Sequence, residues 1–200
     1  MNQGYYFTIE QPAVAEFKDR GSRFIGYAFP AVADGTFKEL LADVKKQHPR
    51  ATHHCFAYRI GVDGAAFRVS DDGEPSGSAG RPILGQIDSR KATNVVVVVV
   101  RYFGGTLLGV PGLINAYKTT AALVLQVTPL VQKPVLISYQ LQFDYTQMNE
   151  VMMACRQVDC KILKQEMNLF CTIQVGIPQN RLNDILYKLR ELRGIEIEKM

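Results

Sequence analysis

The 200-residue chain contains no tryptophan, no Cys-x-x-Cys pair, no low-complexity segment and no long linker. Its longest apolar run, Val95 to Val100, is far short of the roughly 18 residues a membrane-spanning helix needs, so no membrane partner is expected. Met1 to Glu10 has no basic stretch leading into an apolar core, which argues against a secretory signal and for a soluble, cytoplasmic protein. In that setting the four cysteines (Cys55, Cys155, Cys160 and Cys171) are expected to be reduced, buried thiols. Histidine is scarce: His48, His53 and His54 are the whole set, and with these cysteines they supply no four-ligand zinc spacing. No metal and no cofactor are expected.

What is present is ordinary for a globular protein: 47% hydrophobic and 21% charged residues exclude disorder and fibrous classes. The length allows one large domain or two small ones. The net charge of +4 is unevenly placed. Residues 1–134 carry 15 Lys or Arg against 11 Asp or Glu, whereas residues 135–200 carry eight of each. A basic excess confined to the first part is compatible with nucleic-acid contact but does not require it.

Hydrophobic periodicity divides the chain near Val131 to Pro134, giving expected domains 1–132 and 133–200. In the first, Tyr5–Ile9, Ala13–Phe17 and Ser22–Phe29 read as strands. Asp34 is placed to cap a helix carrying Phe37, Leu40, Leu41 and Val44. Val62-Asp63-Gly64 marks a hairpin between His54–Ile60 and Ala66–Val69. A short helix is expected after Pro82 and another from Pro111 or Gly112. Between them Asn94–Arg101 reads as a central strand, because six successive valines leave it no solvent face. The second domain reads β-α-β-β-α-β, with a tight turn near Asn168, a helix stop at Gly194 and Ile195–Glu198 as an edge strand. That is the split pattern of a ferredoxin-like fold, and the whole chain is classed α+β.

Chemistry concentrates in two segments. Ser70 to Pro82 places three glycines (Gly73, Gly77, Gly80) among Asp71, Asp72, Glu74, Ser76 and Ser78. With Pro82 at a helix start, Ser78 to Arg81 would present free backbone N–H groups, and Arg81 beside them suits a phosphate. The alternative is a long turn whose Asp and Ser side chains satisfy their own backbone. Both readings stand, and the spacing is not that of a Walker loop. Asp71, Asp72 and Glu74 are oxygen ligands of the kind magnesium takes, but adjacent Asp71 and Asp72 project differently.

The second segment, Arg101-Tyr102-Phe103-Gly104-Gly105 onward, follows the valine strand. An arginine at a sheet rim beside aromatic rings suits base stacking. Alternatively, Phe103 is core, Gly104-Gly105 is a turn, and Arg101 pairs with the acidic loop. His53 and His54 titrate near neutrality, but no nucleophile or paired carboxylate accompanies them in a recognisable pattern.

Four motifs in this order are familiar. Ser22-Arg23-Phe24-Ile25, His53-His54-Cys55-x-Ala57-Tyr58, Ser70 to Pro82, and Arg101-Tyr102-Phe103-Gly104-Gly105-x-Leu107-Leu108-Gly109-x-x-Gly112-Leu113 together resemble the IMPACT (YigZ) family. The resemblance spans about residues 15–125, and one departure is Gly21, where relatives often carry lysine. It implies a first domain of the ribosomal-protein, elongation-factor and GHMP-kinase-like fold, and a second like another elongation-factor domain. Eukaryotic relatives regulate translation initiation by binding an activator of a starvation-responsive kinase, while bacterial members have no settled activity. The leading expectation is therefore a non-enzymatic regulator that binds RNA, the ribosome or a translation-associated protein. Its candidate contact residues are His53, His54, Asp71, Asp72, Glu74, Ser76, Ser78, Gly80, Arg81, Arg101, Tyr102, Gly104 and Gly105. An enzyme acting on a phosphorylated or nucleotide ligand held by residues 71–82, and a protein-interaction module, are the alternatives.

Overall fold

A computed structural model describes residues 4–31, 34–167 and 170–200, with only the backbone for 34–36. The cap expected from Asp34 and the turn expected near Asn168 thus lie outside the described residues. The chain separates into two compact units, one of them Tyr6–Lys133. The other holds Pro134–Met200 with Gly4 and Tyr5 from the chain's start.

In chain order the first part contains β1 (Tyr5–Ile9), β2 (Ala13–Asp19), β3 (Ser22–Pro30), α1 (Asp34–Gln47), β4 (His53–Ile60) and β5 (Ala66–Ser70). It continues with α2 (Gly80–Ser89), β6 (Val95–Tyr102), α3 (Gly109–Gln126) and β7 (Leu130–Pro134). Five strands form one antiparallel sheet in the order β2-β3-β6-β4-β5, so the valine strand is central. Its alternation decides the layers. Val95, Val97 and Val99 pack with Ile83 and Ile87 of α2 and Leu113, Tyr117 and Val124 of α3. Val96, Val98 and Val100 turn the other way, toward Phe37 and Val44 of α1. Each fully buried valine is worth roughly 1.5–3 kcal/mol of hydrophobic transfer, which is why this strand fixes the sheet's centre.

Two helix starts and one strand differ from expectation. The helix expected after Pro82 begins at Gly80, with proline still inside its first turn, where no intrahelical N–H is lost. The helix expected from Pro111 begins at Gly109, whose φ of 69° turns the chain into it. A strand not expected from the sequence, Leu130–Pro134, pairs with β1 and overlaps the stretch Val131–Pro134 where the domains were expected to meet; a partner over 120 residues away leaves no local signal.

The second unit runs β8 (Leu136–Phe143), α4 (Met148–Gln157), β9 (Lys161–Met167), β10 (Cys171–Pro178), α5 (Leu182–Arg190) and β11 (Glu196–Lys199). Its strands lie in the order β11-β8-β10-β9, all neighbours antiparallel. Leu141, Phe143, Ile173, Val175 and Ile177 alternate onto one face and pack with Val151, Ile185 and Leu189 from the two helices. The helix stop expected at Gly194 falls earlier: α5 ends at Arg190 with Glu191 as its C-cap, and Gly194, at φ 74°, turns the chain ahead of β11.

Candidate functional site

The register of three strands assembles the site. Arg101 on β6 lies opposite Phe24 on β3 and His53 on β4, so all three side chains belong to the α2–α3 face of the sheet. One residue along, His54 pairs with Val100 and faces α1 instead. The strand period of two thus separates the adjacent histidines, and Tyr102 goes with His54.

On the α2–α3 face, Glu74 and Arg101 are closed on each other. Arg101 Nη1 donates to Glu74 Oε1 at 2.7 Å, and the buried hydroxyl of Tyr117 donates to the same oxygen at 2.7 Å. Glu74 is 8% exposed and Arg101 5%. The guanidinium carbon lies 5.5 Å from the Phe24 ring centre and 5.6 Å from that of Phe103. His53 donates from Nδ1 to the backbone oxygen of Asp72 (2.7 Å) and holds Nε2 3.8 Å from Glu74 Oε1. Below them Cys55 Sγ sits 3.0 Å from the Asp71 carbonyl and 3.3 Å from the Tyr117 hydroxyl. Burial pushes both the Cys55 thiol and the Tyr117 phenol well up, so both stay protonated.

The two acidic neighbours of Glu74 are engaged elsewhere. Asp71 accepts the N–H groups of Gly77 (2.9 Å), Ala79 (3.0 Å) and Gly80 (2.8 Å). The start of α2 therefore already holds a carboxylate, and the helix-end phosphate reading gives way to the self-capping turn. Burial works upward on the Asp71 carboxyl, yet the backbone donors of Gly77, Gly80 and Ala79, with Arg81 nearby, bring it below the usual range. Asp72, held at φ 42°, accepts the backbone N–H of His54 at 2.7 Å and faces Lys45 at 3.9 Å. The three carboxylates thus do not converge on one point.

The remaining predicted residues scatter. Ser78 is buried and donates to the Pro75 carbonyl at 2.6 Å, while Ser76 and Arg81 are exposed. Gly80 is a packing glycine: a Cβ there would stand 2.8 Å from the Ser70 nitrogen. Gly104 presses on the β2–β3 turn, where its Cβ would stand 1.9 Å from the Gly21 carbonyl carbon, whereas Gly105, at φ 86°, faces open space. A single basic groove of Arg81, Arg101, His53 and Tyr102 does not form. Arg101 is sealed and neutralised by Glu74, and Tyr102 bonds His48 Nδ1 (2.9 Å) on the opposite face.

What opens beside the sealed pair is a cleft of about 450 Å³. Glu74, Arg101 and His53 lie on one side, and Pro75, Phe103, Leu107, Leu108, Val110 and Leu113 contribute the apolar remainder. Phe103 (47%), Leu107 (82%) and Val110 (46%) are exposed large apolar side chains on this rim. Leu107 and Val110 are not among the residues expected to make contacts, and Phe103, for which both base stacking and a core place stood open, is exposed on the rim. Only Leu107 standing next to a buried Leu108 hints at this exposure, since two consecutive leucines entering a helix cannot both face inward.

The α1 face carries a titrating cluster. His48 bridges the hydroxyls of Tyr27 (2.5 Å) and Tyr102 (2.9 Å), and His54 donates from Nε2 to the His48 carbonyl (3.1 Å). Burial holds both imidazoles below their ordinary value, so the folded state favours the neutral rings. Their contribution to stability is complete above about pH 6.5 and is lost as pH falls through the lower folded values. The thermal midpoint is therefore expected to drop between pH 7.5 and 5.5, and His48→Gln with His54→Gln to flatten that part of the profile. Asp71 follows the carboxylate sign: its contribution is present above about pH 4 and is lost on further acidification.

Fold and cluster together define a two-unit α+β protein with a self-locked polar centre beside an apolar cleft. The Impact N-terminal domain model matches residues 20–125, the span that builds this site. IMPACT family member YigZ of Escherichia coli is 35% identical over 174 residues, which cover 85% of this chain and 84% of that one. An IMPACT family member of Haemophilus influenzae is 31% identical over 191 residues, 93% and 91% of the two chains. A crystal structure described as that of a hypothetical protein superposes with a TM-score of 0.80 at 29% identity, covering 99% and 98%. The chain belongs to the IMPACT family.

Proposed function

We propose that this protein is a non-enzymatic, translation-linked regulator that acts by docking a protein component of the translation apparatus, a ribosomal protein or a translation factor, on its first unit. The observation that carries this reading is the rim of Phe103, Leu107 and Val110, exposed beside a charge pair already neutralised internally. Interface cores favour aromatic and apolar anchors over free charge, and a patch of this kind on a surface is a contact site by default. RNA is the weaker partner here, because the arginine expected to hold phosphate is committed to Glu74. The enzyme alternative loses its proposed phosphate cradle to the Asp71 carboxylate. In the same proposal, the first unit has the ribosomal-protein and elongation-factor-like fold. The second has the ferredoxin-like one, supported by its strand order β11-β8-β10-β9.

Binding of the purified protein to isolated ribosomal subunits and to purified translation factors tests this. Leu107→Asp with Val110→Asp should weaken the interaction at least tenfold while leaving the fold intact, since both sites are solvent-facing. Arg81→Ala should change it by less than about threefold. Absence of binding to every one of these components, or loss with Arg81→Ala but not with the double variant, overturns the proposal.

A further inference from the structure

The C-terminus of α4 ends in a Schellman motif whose two contact positions are both cysteine. Val158 is the C-cap, and Asp159 follows in the left-handed conformation at φ 61°. The Cys160 N–H bonds back to the Cys155 carbonyl at 2.9 Å and the Asp159 N–H to the Arg156 carbonyl at 3.2 Å. These are the two bonds that define the motif, and its geometry brings the residue three before the cap against the residue two after it. Ordinarily an apolar pair fills those positions. Here they are Cys155, fully buried, and Cys160, partly buried.

We propose that Cys155 and Cys160 are an oxidation site that closes to an intramolecular disulfide when the protein meets hydrogen peroxide. Access sets the order of events. Peroxide reaches the half-buried Cys160, whose sulfur attacks one oxygen: an S–O bond forms, the O–O bond breaks, and the other oxygen leaves as water. Cys155 then attacks the Cys160 sulfur: the S–S bond forms, the S–O bond breaks, and a second water leaves. Two thiols are oxidised by two electrons, and one peroxide is reduced to two waters. The two thiols titrate as a coupled pair, in which ionisation of either sulfur is favoured while the other keeps its proton. The product ties the last turn of α4 to the residue just before edge strand β9, in a motif that already holds the two backbones together. Cys55 and Cys171 are buried without such a neighbour described, so they should remain thiols.

The experiment treats the full chain with stoichiometric hydrogen peroxide and follows free thiols and non-reducing tryptic mass spectra. The thiol titre should fall from four to two, and the peptide ending at Arg156 should appear joined to Gln157–Lys161, 2 Da lighter than the two reduced peptides. Cys155→Ser should stop at a sulfenic acid on Cys160 that dimedone traps, and Cys160→Ser should slow thiol loss at least tenfold. Bond formation should be at least tenfold faster in the folded protein than in concentrated urea. Retention of all four thiols, pairing through Cys55 or Cys171, or equal rates folded and unfolded would overturn the proposal.

Discussion

Replacing Glu74 by alanine is expected to destabilise the protein by about 3–5 kcal/mol, one of the largest losses available to a single side chain here. The carboxylate accepts from both Arg101 and Tyr117, and both members of the ion pair are buried. Its removal leaves a guanidinium buried without a counter-charge and a phenol without an acceptor. Arg101→Ala should cost a similar amount for the mirror reason. Replacing both together, as Glu74→Leu with Arg101→Met, should recover much of the loss, because two apolar groups of similar size need no partner. Urea denaturation of the wild type, Glu74→Leu, Arg101→Met and the double variant measures this as a double-mutant cycle with a coupling of several kcal/mol. Near-additive effects would mean that the two residues do not act as a pair. The same cycle separates structure from docking: the double variant, once folded, should keep most of its partner affinity.

Gly104→Ala is the second large effect. The added methyl carbon would stand 1.9 Å from a backbone atom of Gly21, so one of two main-chain segments must move. Overpacking ordinarily costs roughly 1–3 kcal/mol, and a clash with backbone rather than a flexible side chain belongs at or above the top of that range. The Gly104 N–H bond to Ser22 (3.2 Å) would be strained by the same shift. Gly85→Ala supplies the contrast, because nothing lies within 4 Å of its Cβ position inside α2. That substitution should stabilise by about 0.5–1 kcal/mol through helix propensity alone. Thermal melts of the two variants should therefore move in opposite directions.

Much of the architecture is legible in the sequence. Six valines in a row mark a strand buried on both faces, because that signal is local. The β1–β7 pairing was illegible, since its partners are far apart in sequence and Leu130–Pro134 carries no pattern of its own. In the site, the pairing of Arg101 with the acidic loop could be anticipated from the cost of burying an unpaired guanidinium. Which acid would take it could not: Asp71, Asp72 and Glu74 are similar in sequence, and loop geometry sends them to a helix end, a strand N–H and Arg101 respectively. His53 and His54 looked like one feature, yet the pleat put them on opposite sides of the sheet. The exposed rim was the least visible part, because the exposure of Leu107 and Val110 depends on how the loop enters α3.

The salt dependence of partner binding tests the docking proposal most directly. Affinity for the bound ribosomal component or factor would be measured from 50 to 200 mM salt. Contact through the rim of Phe103, Leu107 and Val110 predicts a change of less than about tenfold, since apolar burial releases no counterions. A fall of about a thousandfold or more over that range would be the mark of several phosphate contacts and would contradict a protein-docking surface.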